Sequence, residues 1–170
     1  MIIAAIFLIA PFCFALAAFT DLLSMSIPNR IPAFMLLSFL IIAPFSGLSW
    51  ESIGMSVVAS ILVFLACFGL FLTNTMGGGD AKLMTAAAAW YGFNVSLIEF
   101  LLAVSLAGGL LTVMILVLRS RSQEILIAGL PIPDSLLMTN KIPYGIGIAI
   151  AGFLTYGETP IVNMALVRLS

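Results

Sequence analysis

The chain has 170 residues, 63% of them hydrophobic, and it carries only 6 Lys or Arg and 7 Asp or Glu. Soluble domains hold about 25% charged residues, so a chain at 8% cannot wet the surface of a water-soluble fold, and its solvent is lipid. A net charge of −1 offers no basic face for nucleic acid.

Charges at mid-bilayer are costly, so the intervals free of them mark candidate membrane spans. They predict an all-α polytopic membrane protein, a bundle of six transmembrane helices forming a single domain over residues 1–170. The expected spans are about 1–20, 31–48, 53–74, 81–97, 99–118 and 143–157, with a cytoplasmic loop over 119–142. The first span contains Ala15-Leu16-Ala17, the form of a signal-peptidase site. No Lys or Arg precedes its apolar run, so the segment is expected to remain a span. Ser24 to Pro32 reads as a short surface turn because its prolines bias the preceding residues away from helix. Thr73 to Gly79 breaks the chain after span three, and Glu99 separates spans four and five. Within the long loop, the apolar piece Ile125 to Leu130 is expected to lie in the interface, ahead of a turn at Pro131 to Asp134. Trp50 and Trp90 read as interfacial anchors. Ala86 to Ala89, Ala103, Ala107, Gly108, Gly109, Gly145, Gly147, Ala151 and Gly152 read as small residues that let helices approach closely.

Short cytoplasmic loops are enriched in Lys and Arg. Arg30, Lys82, Arg119, Arg121 and Lys141 follow spans one, three and five, whereas Arg168 alone lies on the other side, with Glu51, Glu99 and Glu158. The turn after span one, the Thr73 to Gly79 segment and the 119–142 loop are therefore expected to face the cytoplasm.

That topology brings two acids to one surface. Asp21 ends the first apolar run, and Asp80 begins the fourth helix directly after Gly77, Gly78 and Gly79. Taken singly, Asp21 is an ordinary boundary residue and Asp80 an ordinary helix N-terminal acid. Three consecutive glycines are not explained that way, since they are costly in backbone entropy unless positive φ or close backbone approach is needed. They suit a site that admits an extended peptide backbone. A phosphate cradle is the weaker use, because the loop lacks the lysine pattern of a phosphate loop and is followed by a carboxylate.

The chain has no His, which removes the usual general base and the commonest metal ligand. Cys13 and Cys67 are isolated in apolar runs with no CxxC pair, so no metal and no other cofactor is expected. Two carboxylates alone suggest aspartyl chemistry. When close together they share a proton. The ionised member takes a proton from an attacking water, while the protonated one polarises the amide carbonyl and later protonates the leaving amine. Lys82 lies two positions from Asp80 and reads chiefly as a positive-inside anchor, with a lipid headgroup as its other use.

Gly77-Gly78-Gly79-Asp80-Ala81-Lys82 is a G-x-G-D-x-K segment at a helix start. It resembles the GxGD motif of prepilin peptidases, membrane aspartyl proteases that remove the leader of type IV pilin precursors. Asp21, the Ile27-Pro28-Asn29-Arg30 turn after it, and Lys141-Ile142-Pro143-Tyr144-Gly145 before the last span are similar to the same family, in order along the whole chain. The resemblance implies that Asp21 and Asp80 are the catalytic pair. From the residues themselves, Gly77, Gly78, Gly79, Lys82 and Tyr144 are expected to shape the loop or touch substrate, with an ordinary interfacial anchor as the other use of Tyr144. The resemblance also implies prepilin or pseudopilin substrates, whose basic leaders are cut at the cytoplasmic face of the inner membrane. Larger members methylate the new N-terminus and carry a cysteine-rich segment between spans one and two. Here that connection is about ten residues long and has no CxxC, which argues against methylation. The chain looks most like the minimal peptidases of Flp/Tad pilus systems, with archaeal preflagellin peptidases close by. A small channel using the aspartates as a relay is the competing class, but a relay needs ionisable groups along the spans, and both acids sit at one surface. A scaffold whose glycine run is only a turn is the third.

Overall fold

The computed structural model describes residues 2–121 and 142–169, and among them the chain is helical with no strand. In order the helices are α1 (Ile2–Ser24), α2 (Arg30–Ser46), α3 (Trp50–Leu72), α4 (Gly78–Tyr91), α5 (Val95–Ser120) and α6 (Tyr144–Thr155). A 3₁₀ turn (Tyr156–Glu158) and α7 (Pro160–Val167) follow. The expected interfacial piece Ile125 to Leu130 and the turn at Pro131 to Asp134 lie outside the described residues.

Three helices, α1, α3 and α5, are long and apolar enough to cross a membrane, and a fourth crossing results if α6 with its 3₁₀ turn and α7, bent by 40°, count as one. The other two are shorter. α2 has 17 residues and α4 only 14, about 26 Å and 21 Å at the helical rise of 1.5 Å per residue. The six comparable spans expected from charge spacing are thus unequal, because an interval without charges also contains turns and caps. The difference is plainest between α4 and α5. The break falls at Gly92, whose φ is +70, and at Asn94, whose side chain accepts the Ser96 amide at 2.8 Å. Glu99 instead lies inside α5.

α4 is short because it is central. Leu83, Ala86 to Ala89, Trp90 and Tyr91 are all essentially buried, with α3 and α2 packed along the helix and α6, α5 and α7 touching it as well. Its alanines let those neighbours close in. The long helices instead turn large apolar side chains outward, among them Phe12 and Phe19 on α1, Leu65 on α3, and Leu106 and Leu110 on α5.

Three buried aromatic side chains in this core have their polar groups satisfied by neighbouring backbones, as a lipid-embedded fold requires. The Trp90 indole donates to the Met35 carbonyl at 2.9 Å, and the Tyr156 hydroxyl donates to Ile6 at 2.7 Å. The Tyr91 hydroxyl reaches the Gly152 carbonyl at 3.1 Å and the Thr155 hydroxyl at 2.8 Å. Trp90 is therefore a core residue rather than an interfacial anchor, since its ring packs edge-on to Phe39 and its one donor is occupied. Trp50, at the start of α3, is 77% exposed. α5 and α6 meet backbone to backbone, where a Cβ on Gly147 would lie 3.1 Å from the Gly108 Cα.

Candidate active site

The end of α1, the connection from α3 to α4 and the start of α6 converge at one end of the bundle. They enclose a cleft of about 570 Å³ whose lining includes Asp21, Ile27, Gly77 to Gly79, Asp80 and Tyr144. The α2–α3 turn, the α4–α5 turn and the start of α7 gather around a separate, smaller cavity.

Asp21 sits in the last turn of α1 and Asp80 in the first turn of α4, each more than nine-tenths buried. Asp21 lies within electrostatic reach of Asp80. Oδ2 of Asp21 accepts the backbone N–H of Gly145 at 2.7 Å. Oδ1 of Asp80 is buried with no hydrogen-bond partner among the described residues. An unpaired buried acceptor is costly in a low-dielectric site.

The glycine run owes its composition to close approach and not to positive φ. Among the described glycines, only Gly47 and Gly92 have positive φ. A Cβ on Gly79 would lie 3.1 Å from the Ile27 Cβ and 3.3 Å from its backbone nitrogen, so the α1–α2 turn presses directly on the start of α4. A Cβ on Gly78 would meet the Phe71 ring at 3.3 Å, and one on Gly77 would come within 2.8 Å of Asp80 Oδ2. Gly77 itself is extended and caps α4.

Two other backbone features frame the same space. Among the described residues, Met25 and Asn74 are the non-glycine residues with positive φ, at +50 and +56, and both line the cleft. Left-handed backbone is uncommon outside glycine and costs free energy that surrounding structure must offset. Here it turns the chain sharply at both loops beside the aspartates.

Of the other residues singled out in the sequence, Tyr144 lines the cleft at the first position of α6. Lys82 does not. It is exposed, and its Nζ donates to Asn29 Oδ1 at 2.8 Å, tying α4 to the α1–α2 turn. Gly145, which reads in the sequence as a packing glycine, lies against Asp21, and Ile27, not singled out by the sequence as a site residue, lies against both Gly79 and Gly145. The signal available for both was their place in the Ile-Pro-Asn-Arg and Ile-Pro-Tyr-Gly segments. Among the described residues, no group of three or more His, Cys, Asp or Glu is arranged to hold a metal.

The arrangement is two buried carboxylates from different helices, opening on a cleft large enough for several residues of peptide. Comparison with curated proteins and with solved structures finds no match. The model of the type IV leader peptidase family matches residues 7–113, a stretch holding both aspartates, the glycine run and the α1–α2 turn. The chain belongs to the type IV leader peptidase family, a family of proteases.

Proposed function

We propose that this protein is a membrane aspartic endopeptidase that removes the basic leader of Flp-like type IV prepilins or pseudopilins, with Asp21 and Asp80 as its catalytic pair. The observation that carries the reading is the convergence of these two buried carboxylates on one cleft.

Acting as a pair across the cleft, the two carboxylates hold one proton between them. The ionised one takes a proton from water as the water oxygen bonds to the amide carbon. The protonated one polarises the carbonyl oxygen and then gives its proton to the nitrogen as the C–N bond breaks. Return of a proton from the first carboxyl to the second resets the pair. No covalent intermediate and no metal is called for. Which carboxylate acts first is a property of the pair until an asymmetry distinguishes them.

All six helical segments, α1 to α5 and α6 with α7, cross or enter the inner membrane as one domain, with the cleft at the cytoplasmic face. Arg30 and Lys82 near the cleft agree with that orientation under the positive-inside rule. A substrate entering there is cut between its water-exposed leader and the apolar helix that anchors it, and the glycine run lets its backbone approach Asp80. The short α1–α2 connection, Met25 to Asn29, leaves no room for a cysteine-rich segment, so the new N-terminus is not methylated by this chain.

The test is a gel-shift assay of a co-expressed Flp-type prepilin with wild type, Asp21→Asn and Asp80→Asn. Each variant is expected to accumulate in the membrane and to leave the leader in place, a loss of roughly 10³-fold or more if acid–base catalysis is removed. Normal processing by both variants would sink the aspartyl mechanism.

A further inference from the structure

α2 and α3 are joined by the three residues Gly47 to Ser49, yet they touch each other little and each packs on α4 instead. Between them lies a groove of about 250 Å³, with Leu40 on the α2 wall, Val57, Ile61 and Phe64 on the α3 wall, and Thr85 and Ala89 of α4 as its floor. Small residues at the floor make this surface concave, whereas α5 presents Leu106 and Leu110 as protruding side chains. We propose that the groove receives the apolar helix of the prepilin-type substrate, which then lies along α3 with its first turn at the cleft. The inference rests on the reading of the chain as a prepilin peptidase.

The hydroxyls in the groove are already satisfied. Ser60 donates to the Thr85 carbonyl at 2.7 Å, and Thr85 donates to the Ala81 carbonyl at 2.8 Å. An occupant therefore needs no polar group, and Thr85 and Ala89, four positions apart, form the small-residue spacing on which apolar helices approach closely. What ties the groove to the cleft is a ladder of rings along one face of α3. Phe64 and Phe68 stack at 5.6 Å and Phe68 and Phe71 at 6.3 Å, each ring partly exposed. The last ring reaches the glycine run, since a Cβ on Gly78 would lie 3.3 Å from Phe71, and Gly78 lines the cleft. A lipid chain filling the groove has no use for that continuity. A peptide cut beside Asp80 must continue along a surface that begins there.

The track has the length such a helix needs. From Phe71 back to Val57 it follows α3 for about 21 Å at the helical rise of 1.5 Å per residue, well over half of a hydrocarbon core about 30 Å thick. A substrate helix running beside α3 has the same rise. With Phe71 at the level of the cut, Phe64 lies beside about the seventh residue after the scissile bond and Val57 beside about the fourteenth. The groove thus holds the apolar helix while the cleft handles the extended backbone ahead of it.

The experiment places the full-length protein in vesicles of phosphatidylethanolamine and phosphatidylglycerol with a synthetic Flp-type prepilin segment carrying its leader and whole apolar helix. Photoreactive p-benzoylphenylalanine replaces Phe64 or Val57, or Leu106 on the exposed face of α5 as the control, in the Asp80→Asn protein so that the segment stays intact. Mass spectrometry is expected to find Phe64 and Val57 adducts within about one turn of the seventh and fourteenth residues after the scissile bond, with few or none from Leu106. Adducts to lipid alone, to residues 122–141 of the same chain or to a second copy overturn the proposal, as does equal labelling from Leu106. In the otherwise wild-type protein, Ile61→Trp crowds the groove from a position that is already half exposed and is expected to raise KM about fivefold or more, whereas Leu106→Trp leaves KM unchanged. An unmoved KM for Ile61→Trp overturns the proposal, and if that variant fails to accumulate the adduct map decides. A wild type that leaves the segment uncut overturns the peptidase reading itself, whereas cutting without groove adducts overturns only the docking of the helix, and so the two failures are told apart.

Discussion

The amide of Gly145 and the carboxylate of Asp21, 124 positions apart, are joined by a 2.7 Å hydrogen bond at the mouth of the cleft. The bond links α1 to α6, two helices that pack closely against each other. Neither residue has meaning at the site without the other. The carboxylate is buried and needs a donor, and the glycine leaves the donor bare.

Gly79→Ala should displace the start of α4. The added Cβ meets Ile27 at its Cβ and its backbone, and backbone yields less readily than a side-chain tip. Overpacking of this kind costs about 1–3 kcal/mol, with a loss of cleavage because Asp80 is the next residue. Gly69→Ala, where nothing lies within 4 Å, is the matched control and should be neutral or slightly stabilising. Thermal unfolding in detergent with a parallel cleavage assay checks both, and equal behaviour of the two variants would refute the close-approach account of the glycine run.

Lys82 and Asn29 should behave as one unit. If the Lys82 side chain acts by holding the α1–α2 turn through Asn29, then Lys82→Met and Asn29→Ala each lower cleavage by a similar factor and the double variant falls little further. Fully additive losses would return Lys82 to the plain anchor role read from its charge.

Gly152→Ala should destabilise the α1–α6 interface. Its Cβ would lie 2.6 Å from the Phe14 ring, and Phe14 is completely buried, so the ring cannot swing away. A loss of about 1–3 kcal/mol is expected, partly recovered by Phe14→Leu in the same chain. Failure of the smaller side chain to recover any stability in a denaturation series would place the strain elsewhere.

Much of the candidate site is legible because charge is so scarce. Asp21 and Asp80 stood out as acids at the ends of apolar runs, and Gly77 to Gly79 as a run that helix capping does not require. The membrane class followed from composition for the same reason. Helix limits are less legible: Glu99 reads as a boundary, whereas Gly92 and Asn94 end α4 and start α5 through backbone conformation and a side-chain cap.

Trp90 and Gly145 show where sequence reasoning stops. An indole near a helix end reads as an interfacial anchor until the Met35 carbonyl is found to accept its N–H. A glycine in an apolar helix reads as packing until Asp21 is found against it. Sequence by itself determined the solvent, the helical class and the pair of acids, because each depends on the cost of charge in lipid, a property of single residues. Only the tertiary structure decided that α4 is central, that Ile27 lies against both Gly79 and Gly145, and that the Gly145 amide reaches Asp21. Those are contacts between distant segments, and hydrogen bonds and steric limits act over a few ångströms regardless of separation along the chain.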